Sequence, residues 1–364
     1  MPTTPNPTAS GRLDAGRFRD WDAPAYVIAE AGVNHGADLD VALEMVRVAA
    51  SSGVDAIKFQ TYSADRIATR SSEAYWDRSK EPSASQYELF KKYDAFGEAE
   101  YRALAEECGR TGVTFLTTTF DVESVAWLDA LLPAWKIASA DITNFPLLGR
   151  VAATGKPVLL STGASTLDEV AEAVGFLRER GAPDVCLLHC TLSYPTPTED
   201  AAIGAIIDLA RTFPECGLGY SDHTLPHDSF AAAAAAFALG ARVIEKHFTL
   251  DKTKQGNDHW HAFDGADFAQ LVEELARLRS LLGEPVKRVL PAEEAARTHA
   301  RRSLVSRGNI ARGEVITAAS LDVKRPGTGI EPRNLERIIG WRATRDIADD
   351  VTLEWDMIEA PETG

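Results

Sequence analysis

The stretches Gly219-Tyr-Ser-Asp-His-Thr224 and Val243-Ile-Glu-Lys-His-Phe-Thr249 decide how this chain is read. Each is a short apolar run that stops abruptly in polar residues, and each delivers one histidine just past the run, His223 and His247. In a parallel sheet closed into a barrel, neighbouring strands end at one rim, so two such histidines face one pocket. Neutral imidazoles gathered in this way favour a divalent metal. Taken singly, each has a plainer reading: His223 as a turn cap, His247 as a half-buried packing residue. The metal reading gains because the same strand-end pattern recurs along the chain.

Outward from these stretches, short β-branched or apolar runs alternate with longer segments of helical period, the signature of a parallel sheet built from βαβ units. The predicted strands are Tyr26–Ala29, Ala56–Phe59, Thr114–Thr117, Ala134–Ala138, Val158–Leu160, Val185–His189, Gly217–Tyr220 and Arg242–Lys246. Amphipathic segments lie between them, among them Leu39–Ser51, Glu98–Arg110, Thr166–Arg180 and Phe230–Leu239, and a final helix is expected over Asp267–Leu282. Eight alternations over ~250 residues fit a (β/α)8 barrel better than a doubly wound sheet, and no GxGxxG follows the first strand. The one large insertion, Tyr62–Ala95, carries Tyr75, Trp76, Tyr87, Phe90 and Tyr93. Placed after the second strand it lies on the active-site face, either covering the site or packing as a surface excursion on its own aromatics.

The ends of the chain read differently. Residues 1–19, rich in Pro, Thr and Ser, are expected to be a flexible tail without the apolar core of a signal peptide. The barrel occupies 20–282, a linker helix 283–301, and a small β-rich domain 302–364. In that domain Ser303–Ser306, Gly313–Thr317, Leu321–Lys324 and Val351–Leu353 are predicted strands. About 60 residues make a thin core, so this domain is expected to lean on another surface.

Composition narrows the partners. The 364-residue chain is 45% hydrophobic and carries a net charge of -16, which disfavours nucleic acid and anionic membranes. The Ala-rich run Phe230–Val243 is too short to span a bilayer. Its four cysteines, Cys108, Cys186, Cys190 and Cys216, lack a short disulfide spacing and suit reduced thiols in a cytoplasm. Cys190 is either reactive or buried at a strand end.

Residues at the strand ends spell out a chemistry. They are Glu30; Lys58 and Gln60; Lys136, Ser139 and Asp141; Ser161; Tyr194; Ser221 and His223; Glu245 and His247, with Asp258 following. Two inward lysines with serines at neighbouring ends form an anion site, lysine supplying point charge and hydroxyls directional bonds to phosphate or carboxylate. A lone inward lysine would instead pair with a carboxylate such as Glu30. Beside this pocket a metal on His223 and His247 would act as a Lewis acid on a carbonyl oxygen. An anionic donor next to a metal-held carbonyl points to carbon–carbon bond formation.

At this point the chain resembles the sialic acid synthase family, the phosphoenolpyruvate-condensing synthases of nonulosonic acids. The matching stretches are Ile28-Ala-Glu-Ala-Gly-Val-Asn-His-Gly36, Ile57-Lys-Phe-Gln-Thr61, Trp135-Lys-Ile-Ala-Ser139, Leu160-Ser-Thr-Gly163, Leu188-His-Cys-Thr191, Tyr194-Pro-Thr-Pro197 and the two histidine motifs, in family order. Val323-Lys-Arg-Pro-Gly327 is similar to the family's C-terminal antifreeze-like (SAF) domain. The resemblance implies a TIM barrel joined to a SAF domain, in a domain-swapped homodimer where each small domain caps the partner's barrel. It implies a divalent metal, manganese first with magnesium or cobalt as alternatives, on His223 and His247. It implies phosphoenolpyruvate on Lys58, Lys136, Ser139, Ser161 and Ser221. An amino-sugar aldose and its proton transfers fall to Glu30, Gln60, Tyr194 and Asp258, and Arg325 reaches the sugar's acyl group across the dimer.

Two departures bear on the sugar. Asp141 stands where the N-acetylneuraminate enzymes carry glutamate, one methylene or about 1.5 Å shorter, and Leu192 stands where they place a polar amide. Glu30 and Asp141 are the candidates for acid–base work. For His259 and His261 the readings are metal ligation, stacking on substrate or, preferred, a place on the rim. The rival readings are a metal-dependent pyruvate aldolase on the same barrel and a catalytically silent sugar-binding protein.

Overall fold

All eight predicted strand segments form strands: β1 (Tyr26–Gly32), β2 (Ala56–Thr61), β3 (Thr114–Thr119), β4 (Trp135–Ile137), β5 (Val158–Ser161), β6 (Val185–His189), β7 (Gly217–Asp222) and β8 (Val243–His247). They pair in sequence order, and β8 pairs in parallel with β1 to close the barrel. The computed structural model describes residues 13–76, 78–79, 81–256 and 258–361. It divides into two units, 1–284 and 285–364.

The helices form where sequence gives them both a face and an end. Leu39–Ser51 buries Ala42, Met45, Val46 and Ala49, an i, i+3, i+4, i+7 stripe. Its N-cap Asp38 accepts from the N–H groups of Asp40 and Val41. Thr166 and Glu169 form a capping box ahead of Leu167–Glu179. Gly112, at φ 81°, closes Glu98–Thr111 in a left-handed conformation that a side chain would strain. Each fully buried aliphatic side chain in the layer between helices and barrel adds ~1.5–3 kcal/mol of burial.

Inside the barrel a second apolar layer, with Ile28, Leu116, Leu159, Leu188 and Val243, fills the lower half. Ala15–Arg19, expected as part of a flexible tail, is instead a 3-10 turn whose Ala15 and Phe18 are buried in that layer. Phe18 meets Tyr26 at 5.5 Å between ring centroids. A barrel floor left open would wet this layer, which is why one aromatic outweighs the polar composition around it. The rest of that predicted tail, residues 1–12, lies outside the described residues.

In the second unit a 3-10 turn, Pro291–Glu293, leads into the helix Glu294–His299, where a linker helix was expected. Strands β9 (Ser303–Ser306) and β10 (Leu321–Lys324) pair antiparallel, as do β11 (Arg342–Ala343) and β12 (Ile358–Glu359). The segments 313–317 and 351–353, predicted as strands, contribute only isolated bridges, Val315 to Arg342 and Thr352 to Val305. Their apolar residues are used differently: Ile316 and Leu353 enter a core with Leu304, Ile310, Ile330 and Ile338.

Candidate active site

Register decides which side chains meet. Glu30 of β1 is aligned with Lys58 of β2 on one side and His247 of β8 on the other. Ser221 of β7 is aligned with Glu245 of β8, and Thr118 of β3 with Lys136 of β4. Since side chains alternate along a strand, Lys58 and Gln60 share one face, and so do Glu245 and His247. Lys246 points the other way and pairs with Asp222 at 3.0 Å behind the barrel wall.

The inward set lines one cavity of about 390 Å³ at the C-terminal ends of the strands. Lys136 Nζ donates to Ser161 Oγ at 2.7 Å and lies 3.7 Å from Glu245 Oε1. Lys58 Nζ donates to Thr118 Oγ1 at 2.9 Å, is ion-paired with Glu30 and stands 3.9 Å from Glu245. Ser221 Oγ donates to Glu245 Oε1 at 3.0 Å. Gly163 N–H donates to Ser139 Oγ at 2.9 Å, and Cys190 Sγ is 3.0 Å from that oxygen. Burial raises the Cys190 thiol pKa, so the buried reading of this residue holds.

Burial also shifts the charged members of this floor. It pushes the Glu30 carboxyl above its ordinary range against the pull of Lys58, and pulls the Lys136 ammonium down despite Glu245. Asp141 is raised by burial as well, while Asn144 Nδ2 donates to its Oδ1 at 2.9 Å. Both candidate acid–base carboxyls therefore take up a proton more readily than exposed ones do.

Beside the lysines the imidazoles gather. His223 and His247 rings are 5.4 Å apart, and Tyr194 covers them at 4.4 Å from His223 and 5.9 Å from His247. His223 Nδ1 is 2.8 Å from Thr191 O; a carbonyl only accepts, so Nδ1 carries the proton and Nε2 keeps its lone pair. Burial holds His223 down to about 4 and His261 to about 3, leaving both neutral. Burial also opposes charge on Asp258, but the neighbouring His247 outweighs it and holds that carboxyl well below the usual range.

The group that draws closest is His247, Asp258 and His261, with ligand-type atoms all within 4.8 Å of one another. His261 is buried, so the rim reading fails for it: the 3-10 turn His259–His261 folds its ring inward, 4.9 Å from His247. His259 stays outside, bonded through Nδ1 to Thr249 Oγ1 at 2.7 Å. Both ring nitrogens of His261 are buried without a hydrogen bond, and His247 Nδ1 faces Asp258 Oδ2 at 3.2 Å. Orphaned imidazole nitrogens beside a carboxylate are what a first-row divalent metal would satisfy, so the residues present fit one.

Sequence reasoning named Glu245 without giving it a role and passed over Thr118. The shared parity of Glu245 and His247 was the available signal for the first. Of the predicted site residues, Arg325 belongs to the second unit, and all the others line the cavity.

The fold and this cavity define the class, a (β/α)8-barrel enzyme followed by a small β unit. The chain belongs to the NeuB family, whose model matches residues 45–287, and residues 301–359 match the SAF domain. These are nonulosonic acid synthases. The N,N'-diacetyllegionaminic acid synthase of Legionella pneumophila is 36% identical over 342 residues, 92% of this chain and 95% of that protein. Human N-acetylneuraminate-9-phosphate synthase is 32% identical over 95% of this chain and 96% of its own. The crystal structure of N-acetylneuraminic acid synthetase from Leptospira borgpetersenii, in complex with citrate, matches with TM-score 0.66 and 34% identity, covering 75% of this chain and 90% of that one.

Proposed function

We propose that this protein condenses phosphoenolpyruvate with the open-chain form of a 2-acylamino aldose, giving a 2-keto-3-deoxy sugar acid and phosphate, a transferase reaction of the EC 2.5.1 type. The observation that carries the reading is that two buried lysines, both beside Glu245 and lined by serines, share one cavity with His223, His247, Asp258 and His261. Lys58, Lys136, Ser139, Ser161 and Ser221 hold the phosphate and carboxylate of phosphoenolpyruvate. A divalent metal, manganese before magnesium or cobalt, supplies Lewis acidity at the sugar's carbonyl oxygen when bound on the histidine–Asp258 cluster.

In the reaction, C3 of phosphoenolpyruvate forms a bond to the aldehyde carbon, and the aldehyde oxygen becomes a hydroxyl by gaining a proton. Water adds at C2 with loss of one proton, which balances the one gained at the aldehyde oxygen. The new C2 hydroxyl then loses its proton to the departing phosphate as it becomes the ketone oxygen, and the bond from C2 to the phosphate-bearing oxygen breaks with its electrons leaving on phosphate. Glu30, whose Oε1 accepts from Gln60 Nε2 at 3.0 Å, delivers the proton to the aldehyde oxygen. Asp141 is the second acid–base group, and Tyr194 packs over the sugar. Arg325 of the partner subunit meets the acyl group, in a domain-swapped homodimer acting in the cytoplasm. Among the described residues no helix is long and apolar enough to cross a membrane.

The test is phosphate release with manganese and a panel of amino aldoses, using phosphoenolpyruvate labelled with 18O at the bridging position. Label recovered in phosphate supports C–O cleavage. Turnover with pyruvate in its place would convert the reading to an aldolase, and metal-indifferent sugar binding without turnover to a silent binding protein.

A further inference from the structure

The insertion after β2 gives the cavity a mouth whose chemistry differs from its floor. Lys58 and Lys136 sit inside strands, buried, whereas Tyr75 in the insertion is 69% exposed at the opening. Tyr75 and Trp76 meet edge-on at 5.6 Å, and Trp76 Nε1 donates to Glu81 O at 2.9 Å, which anchors the pair. Tyr62 meets Phe90 edge-on at 5.2 Å on the same wall, where Tyr93 and Leu192 also face the cavity.

The Glu81 carboxylate stands beside these rings. Glu81 is buried, and its Oε1 accepts from Lys92 Nζ at 2.6 Å, Ser83 Oγ at 2.6 Å and Ser83 N–H at 2.9 Å. Burial opposes its charge, but the lysine and serine donors outweigh that and keep Glu81 ionised. Lys92 is already engaged with it. Among the described lining residues the lysines are Lys58 and Lys136, both on the floor.

With the reacting carbonyl of the aldose assigned to the histidine side, its far carbons run toward this mouth. We propose that the aldose is uncharged at its far end and carries apolar groups there, acylamino or methyl in place of hydroxyl or phosphate, packed on Trp76 and Tyr75 beside Glu81. The inference rests on the condensation reading above. Aromatic rings present large apolar faces that a methyl or acetyl group covers well. A terminal phosphate would meet the Glu81 carboxylate, whose cation Lys92 is already engaged, with no other lysine at the mouth among the described lining residues to offset the like charge.

The experiment compares N-acetylmannosamine, its 6-phosphate and a 2,4-diacetamido-2,4,6-trideoxyhexose. It measures kcat/KM for phosphate release and, separately, calorimetric Kd with manganese and no phosphoenolpyruvate. The expected result is that the trideoxy sugar exceeds the 6-phosphate by roughly tenfold or more in both, the scale a shaped pocket gives. Trp76→Ala should narrow that margin by weakening the trideoxy sugar, and Glu81→Gln should narrow it by improving the 6-phosphate. A 6-phosphate that binds and turns over as well as the trideoxy sugar overturns the inference. Absence of phosphate release with every sugar overturns the condensation, and the Kd ranking then still decides what the mouth prefers.

Discussion

Replacing Lys246 by methionine tests whether the two histidine-bearing strands, β7 and β8, are held in place from behind. Lys246 and Asp222 are 1% and 2% exposed and 3.0 Å apart, on the outward faces of β8 and β7, and each immediately precedes a cavity histidine, His247 and His223. At 3.0 Å and an effective dielectric of ~20 their attraction is about 5.5 kcal/mol. Asp222 Oδ1 would keep Tyr220 OH at 2.9 Å and the Thr224 N–H and hydroxyl at 3.0 and 2.8 Å, which softens the loss. Stranding a buried charge in this way costs about 3–5 kcal/mol. Burial alone would raise Asp222; Lys246 and the Thr224 donors override it and hold the carboxyl below its ordinary value. In the native protein Asp222 thus contributes stability above pH ~3.9 that is lost as pH falls through its depressed folded pKa. In Lys246→Met the carboxyl, left buried without its cation, rises above that value, so the folded variant takes up a proton first and gains stability as pH falls. Urea unfolding of the barrel should therefore show a deficit of ~3–5 kcal/mol at pH 7.5 that shrinks at pH 5. A deficit under about 1 kcal/mol at both values would refute the reasoning, because a merely exposed pair costs no more.

Other substitutions probe the floor and the cluster. A Cβ on Gly163 would stand 2.9 Å from both Cys190 Sγ and Ser139 Oγ and 3.1 Å from Cys190 O, so Gly163→Ala should cost ~1–3 kcal/mol by overpacking and weaken phosphoenolpyruvate binding measured by calorimetry. Lys136→Met should raise the phosphoenolpyruvate Kd by roughly 10- to 100-fold, as loss of a charge-assisted contact does, with manganese affinity nearly unchanged. His261→Ala should lower manganese affinity at least ~10-fold while circular dichroism stays native; equal affinity would remove His261 from the metal set. Arg242 bonds the carbonyls of Phe237 at 2.9 Å, Ala241 at 3.0 Å and Trp21 at 2.8 Å, so Arg242→Ala should lower barrel stability by about 3 kcal/mol in thermal unfolding.

Sequence alone determined the eight strands, their order and the barrel, because alternation of short apolar runs with 3.6-period segments is a local property of the chain. It also determined which polar residues end each strand, and so every cavity-lining residue it named. Tertiary structure decided how those residues pair. Glu245 becomes the shared partner of Lys58, Lys136 and Ser221 only because closure of the barrel turns β2, β4 and β7 toward β8 across its interior, and His261 leaves the rim for the cluster only because its 3-10 turn folds it inward. Phe18 closing the barrel floor and the aromatic mouth around Glu81 are decided the same way. These contacts join residues far apart in the chain, and a local pattern records the kind of side chain a position needs, not which distant group it will meet.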